Sequence, residues 1–143
     1  MLDYIIVGFG LSGLHFSHVL SENNKTFKVF DNNSQCASKV AGGLYNPVIL
    51  KRFTMAWNGA EQLKEAIPVY QDIEQHINTT IDQKIPVCRK FDSIEEQNNW
   101  FTAADKPILS NFLDTNIITN TNDAIHANRG LGTVKHTGRI KVE

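Results

Sequence analysis

Gly8-Phe9-Gly10-Leu11-Ser12-Gly13 is a GxGxxG run, and Asp31 stands 18 residues beyond its last glycine. Glycines at this spacing suit one chemistry, the holding of a pyrophosphate against bare backbone. Gly8 allows a tight turn out of a strand. Gly10 carries no Cβ, so a phosphate can approach the main chain, and Gly13 lets a helix pack closely on a sheet. The first turn of that helix leaves N–H groups without intrahelical partners, and its positive end favours an anion. A carboxylate at position 31 accepts hydrogen bonds from an adenosine ribose and repels a 2′-phosphate. No Arg follows Asp31 closely, so NADP is disfavoured.

The surrounding pattern supplies the elements that such a site needs. Asp3-Tyr4-Ile5-Ile6-Val7 is a short, β-branched apolar run stopped by glycine, which reads as a strand buried on both faces, as in the middle of a parallel sheet. Leu11 to Leu20 reads as a helix with Leu11, Leu14, Val19 and Leu20 on its apolar side and Ser17 as a small contact residue. Glu22 to Lys25 is a polar turn. Thr26 to Phe30 is a second strand that ends at Asp31. Strand, helix and strand together make one βαβ crossover.

Two features favour FAD over NAD as the dinucleotide. The motif begins at residue 8 of the chain. Asn32 to Asn46 then reads as a loop whose core, Ser38-Lys39-Val40-Ala41-Gly42-Gly43-Leu44, combines small residues with an uncovered backbone on which an isoalloxazine ring can lie. Pro47 to Leu50 is short and apolar. From Ala56 to about Ile77, Leu63, Ala66, Ile67, Tyr70, Ile73 and Ile77 share a helical face. Pro68 inside that stretch predicts a kink or two abutting helices.

The pattern changes after residue 80 or so. Ile85 to Phe91 reads as a strand. Ser93 with Glu96 three residues on is a capping box, opening a helix that runs through Trp100 and Phe101. Leu113 to Asn128 is Asn/Thr-rich and fits no regular element. Leu131 to Lys135 and Arg139 to Val142 read as strands joined by a turn at Thr137-Gly138.

Composition narrows the function. Lys and Arg total 14 against 15 Asp and Glu, so no basic surplus points to nucleic acid as the main partner. No apolar run is long enough to span a bilayer, and the start of the chain lacks the pattern of a signal peptide. Cys36 and Cys88 form no CxxC pair; both read as small, partly buried side chains in a reducing, cytoplasmic compartment. Among the histidines, His15 and His18 share a helix at i,i+3, but no carboxylate or cysteine nearby completes a metal set. Tyr45-Asn46-Pro47 and Arg52 follow the small-residue loop, where one of them could face a substrate carboxylate.

Asp3 to Gly13, then Asp31, then Ser38 to Leu44, resemble the N-terminus of the D-amino-acid oxidase superfamily of flavoproteins. The similarity is greatest to glycine oxidase-like enzymes and to the flavin domain of the bifunctional enzyme that modifies tRNA wobble uridine. It covers about residues 1–50. The resemblance implies an α/β fold, a Rossmann-like FAD-binding βαβ unit followed by the start of a mixed α+β substrate domain. Residues 1–80 would be the N-terminal part of the cofactor domain and 81–143 the beginning of the substrate domain, incomplete. Family members oxidise C–N bonds of amines and amino acids by hydride transfer to flavin. They are roughly twice this length or more, past the usual size of one domain, so the resemblance implies an N-terminal fragment, itself inactive.

By the same resemblance, Gly8, Gly10 and Gly13 serve the pyrophosphate and Asp31 holds the adenosine ribose, with Leu11, Ser12 and Asn32 also in the cofactor-binding set. Ser38 lies near the phosphates or ribityl chain, and Ala41, Gly42 and Gly43 near the flavin ring. Asp31 replaces the more usual Glu. No residue is assigned as catalytic acid or base, and no metal is expected. The expected partner is a small amine or amino acid, with a tRNA substrate left open. Two other readings stand beside this one: an NAD-binding dehydrogenase or regulatory domain, and a truncated, non-catalytic nucleotide-binding product.

Overall fold

The chain begins with two strands tied to each other at both ends. In the computed structural model, which describes residues 1–34 and 37–142, β1 (Tyr4–Val7) and β2 (Phe27–Phe30) pair in parallel, with Tyr4 opposite Phe27 and Val7 opposite Phe30. Helix α1 (Leu11–Glu22) connects them. Asp3 closes one end: its carboxylate accepts the backbone N–H and the hydroxyl of Thr26, both at 2.8 Å. The other end closes through Gly8, whose N–H donates to the Phe30 carbonyl at 2.8 Å.

Successive strand residues face opposite sides of a sheet. Ile6 and its neighbour Val29 turn toward one side, and Ile6 is buried there. Ser17 and Leu20 of α1 are buried too, with the Ser17 hydroxyl donating to the Leu14 carbonyl at 2.8 Å, so a small polar residue sits inside without an unpaired group. The expectation that β1 is buried on both faces does not hold. Val7 is 84% exposed and Ile5 63%. The sheet has two strands only, and among the described residues of this unit no layer covers the second face. Val19 also lies outside the buried side of α1.

Between Asn32 and Asn46, where a loop was expected, the chain makes a short helical turn, α2 (Ala37–Val40), and a short strand, β3 (Leu44–Tyr45). Cys36 lies outside the described residues, as do Gln35 and Glu143. The chain separates into two compact units, one of residues 1–44 with 140–143 and one of residues 45–139. This division falls elsewhere than the pattern change near residue 80.

The second unit opens with a hairpin, β4 (Val48–Ile49) against β5 (Thr54–Met55). Helix α3 (Gly59–Ile77) follows as one continuous helix that contains Pro68, not two abutting ones. Its predicted face is the one turned inward, with Ile73 buried and Leu63, Ala66, Ile67 and Tyr70 half-buried, though Ile77 is exposed. After β6 (Asp82–Gln83), strand β7 (Val87–Lys90) leads into α4 (Ile94–Ala104). The α4 cap is built as its sequence requires: the Glu96 N–H donates to Ser93 Oγ at 3.1 Å. The Glu96 carboxylate reaches back one residue further than a capping box specifies, to the Asp92 N–H at 2.8 Å, and also pairs with Arg89. Cys88 is exposed, contrary to the partly buried reading, because β7 turns Val87 and Arg89 inward and Cys88 and Lys90 outward.

Strand β8 (Leu131–Val134) pairs antiparallel with β7, and bridges at Leu113 and Ile118 carry a third segment along its other edge. Strand β9 (Gly138–Ile140) belongs to a different sheet, so β8 and β9 are not a hairpin. The bend between them lies at Lys135-His136, where His136 takes φ +59°, and not at Thr137-Gly138. Phe91, Trp100, Leu109, Leu113 and Val134 form the core of this unit together with Val48, Ala103 and Ala104. Trp100 has no exposed surface and stacks edge-on with Phe91 and Phe53 at 5.5 and 5.8 Å. The described residues thus form a mixed α/β fold of four helices and several small sheets. No helix among them is long and apolar enough to cross a membrane.

Candidate functional site

The parallel pairing of β1 and β2 brings their carboxyl ends to the same edge of the first unit, and α1 begins there. Gly8 leaves β1 with φ +92°, a conformation that side-chain-bearing residues rarely adopt. Gly10 is the N-cap of α1 and offers no side chain to cap it. The first helical bond runs from the Leu14 N–H to the Gly10 carbonyl at 2.9 Å. The amides of Leu11, Ser12 and Gly13 therefore precede the intrahelical ladder. No acidic residue occupies the first turn of α1, so no side chain of that turn opposes an anion.

Gly13 is required by packing. A Cβ on it would lie 2.2 Å from the Gly8 carbonyl oxygen, with Ile6 Cγ2 at 3.5 Å. The third glycine thus lets α1 lie against the turn that precedes it.

Asp31 faces that turn. Its Oδ2 accepts the Phe9 N–H at 2.5 Å, and its Oδ1 accepts the Asn33 N–H at 2.7 Å. The Phe9 bond foremost, then the Asn33 bond, hold the carboxyl below its ordinary range, with the charge of Lys39 assisting. An ionised carboxylate has about four acceptor positions; two are filled, leaving one on each oxygen for vicinal hydroxyls. Asn32 is turned to its own loop, its Oδ1 accepting the Ser34 N–H at 3.1 Å and hydroxyl at 2.7 Å.

The segment from Ser38 to Gly43 is a closed turn. The Ala41 N–H donates to Ala37, that of Gly42 to Lys39 and that of Gly43 to Ser38. These amides are committed to the turn, and Gly43 is buried. A Cβ on Gly43 would lie 1.9 Å from the Ile140 carbonyl oxygen, while Gly42, at φ +64°, has open space around it. Within this segment Ala41 is exposed and Gly42 has open space around it, while Gly43 serves packing.

No protein-family model and no solved structure matches the chain.

Glycine turn, helix start and Asp31 form one cluster on geometry alone, all within the first unit. Lys39, near enough to act on the Asp31 charge, was read from the sequence only as part of the small-residue loop and carried no signal linking it to Asp31.

The second unit holds Tyr45 in a network of its own. Its hydroxyl donates to Asp82 Oδ1 and accepts from Lys84 Nζ, both at 2.8 Å. Burial, with Asp82 adding to it, pushes the phenol above its ordinary range. Gly138 makes room for it, since a Cβ there would lie 2.3 Å from the Tyr45 oxygen. Asp82 and Lys84 have no sequence signal that ties them to a tyrosine 37 and 39 residues away. Asn46 Oδ1 accepts the Val48 N–H at 2.9 Å and so shapes its own turn.

Proposed function

We propose that the first unit binds the ADP half of FAD, and that the chain is the N-terminal part of an FAD-dependent oxidoreductase acting on C–N bonds of amines or amino acids. One observation carries the reading: the hydrogen bond from Phe9 to Asp31 ties the acid proposed for the ribose to the glycine turn proposed for the pyrophosphate. The uncapped start of α1 fits a pyrophosphate, and the unfilled acceptor positions of Asp31 fit two ribose hydroxyls. Held there, FAD supplies hydride acceptance at its flavin ring. This chain's part is to bind the ADP moiety and to orient the ring beside Ala41 and Gly42.

The open apolar face of Ile5, Val7 and Phe30 suits a Rossmann-like sheet that continues into further strands or a second layer. The exposed Cys88 thiol, in no disulfide, is in keeping with a cytoplasmic protein. The NAD reading shares the ADP half and is separated from the first by ligand choice.

The deciding experiment is titration of the chain with ADP, FAD, NAD and NADP, followed by calorimetry or flavin fluorescence. The expected result is saturable FAD binding that ADP displaces and FMN does not, with NADP weakest. Tighter binding of NAD than of FAD would select the dehydrogenase reading. Failure of ADP to bind the folded chain would overturn both.

A further inference from the structure

A concavity lies wholly within the 45–139 unit. It is an open cleft of about 470 Å³ between the first turn of α4 and the segment from Ile117 to Gly130. That volume lies in the range of small-molecule sites. Ile94 and Ile118 line it from two separate elements and are 56% and 47% exposed. Two half-exposed isoleucines on one concave surface offer hydrocarbon contact to a ligand.

The polar lining divides into committed and uncommitted groups. Asn120 is spent on its own loop: its Nδ2 donates to the Asn122 and Ile125 carbonyls at 3.0 and 2.5 Å, and its Oδ1 accepts the Asn122 N–H. Gln97 Nε2 donates to the Arg129 carbonyl and so fixes the backbone at the cleft wall. The guanidinium of Arg129 is exposed and makes no ion pair or hydrogen bond among the described residues. Arg89, by contrast, is paired with Glu96, so that acid is already answered.

We propose that this cleft binds a small aliphatic monocarboxylate, its carboxylate on Arg129 and its hydrocarbon between Ile94 and Ile118. The planar guanidinium matches the two oxygens of a carboxylate. One unanswered cation suits one negative charge. A phosphate dianion would lack a second cation, since Arg129 is the one cationic residue in the lining. The inference rests on the second unit alone and is independent of the dinucleotide reading.

The test is an amide-resolved NMR titration of the whole chain with hexanoate, with hexanol as the neutral probe. Hexanoate should give saturable shifts confined to residues 94–97 and 117–130, and should bind more tightly than hexanol. Arg129→Gln should weaken hexanoate by about tenfold, the scale of a lost charge-assisted hydrogen bond, and leave hexanol unaffected. Ile94→Glu places an acid where the start of a helix tolerates it, so the fold is kept while hexanoate is repelled. The proposal fails if hexanoate gives no saturable shift, if acid and alcohol bind the native chain alike, or if Arg129→Gln binds hexanoate unchanged.

Discussion

Asp31 accepts the backbone N–H of Phe9 at 2.5 Å, so the residue that follows one strand is bonded to the turn that leaves its neighbour. Twenty-two positions of sequence separate the two residues. The contact exists because β1 and β2 are parallel and adjacent, which places both carboxyl ends at one edge. Removing the carboxylate takes away the ribose acceptor and the tie to the turn together. Asp31→Ala should weaken ADP by about tenfold or more, read by calorimetry. An unchanged dissociation constant would remove Asp31 from the site.

The same carboxylate sets a pH dependence. The Phe9 and Asn33 bonds lower its folded-state value below the ordinary 3.8, and the Thr26 bonds lower that of Asp3 in the same way. A depressed carboxyl contributes stability that is fully present above the unfolded value and is lost as pH falls through the folded one. The first unit should therefore be flat in stability through neutral pH and lose it below about pH 4. Asp31→Asn should flatten that acid limb in a circular-dichroism titration.

Gly13→Ala forces a Cβ against the Gly8 carbonyl, which is backbone and cannot swing aside. Overpacking of this kind costs about 1–3 kcal/mol, and here it also moves the helix start away from the turn. Chemical denaturation should show the loss, and ADP binding should fall with it. Gly10→Val acts differently, filling the pyrophosphate's space, so it should abolish FAD and ADP binding with a smaller effect on stability. Normal nucleotide binding by Gly10→Val would sink the assignment.

Gly132 lies against the centre of the other core. A Cβ there would stand 2.6 Å from Phe91 Cζ and 2.7 Å from Trp100 Cε2. Both rings are buried, so Gly132→Ala should destabilise the second unit by about 1–3 kcal/mol. Trp100 is buried and Trp57 is 81% exposed; replacing Trp57 by Phe leaves Trp100 fluorescence as the reporter of this core in urea.

Ser93→Ala removes the acceptor for the Glu96 N–H. Loss of such a cap costs about 1 kcal/mol. Ser93→Asp should restore it, and the two variants compared by urea midpoint separate the cap from side-chain packing.

Much of the first unit was legible from residue types. Tyr4 to Val7, Leu11 to Leu20 and Phe27 to Phe30 carry local signals of length, branching and glycine punctuation, and each became the expected element. So did the cap of α4, because a cap is a contact between residues three apart. The turn at Ala37 to Gly43 was not legible: its hydrogen bonds are local, but small residues allow many turns, and the close approach of Gly43 to Ile140 is distant in sequence. The Tyr45, Asp82 and Lys84 network was hidden because its members are distant in sequence.

The sequence by itself determined the strand–glycine turn–helix–strand order, the place of the acid at the second strand's end and the α4 cap. These depend on backbone propensities and contacts of short range. Only the tertiary structure decided which faces are covered. An apolar run such as Ile5-Ile6-Val7 records that a strand can be buried, while burial itself depends on what packs against it; here Ile6 is covered and Ile5 and Val7 are not. Tertiary structure also decided that Arg129 stands unanswered at a cleft, since the partners available to a charge depend on the path of the whole chain.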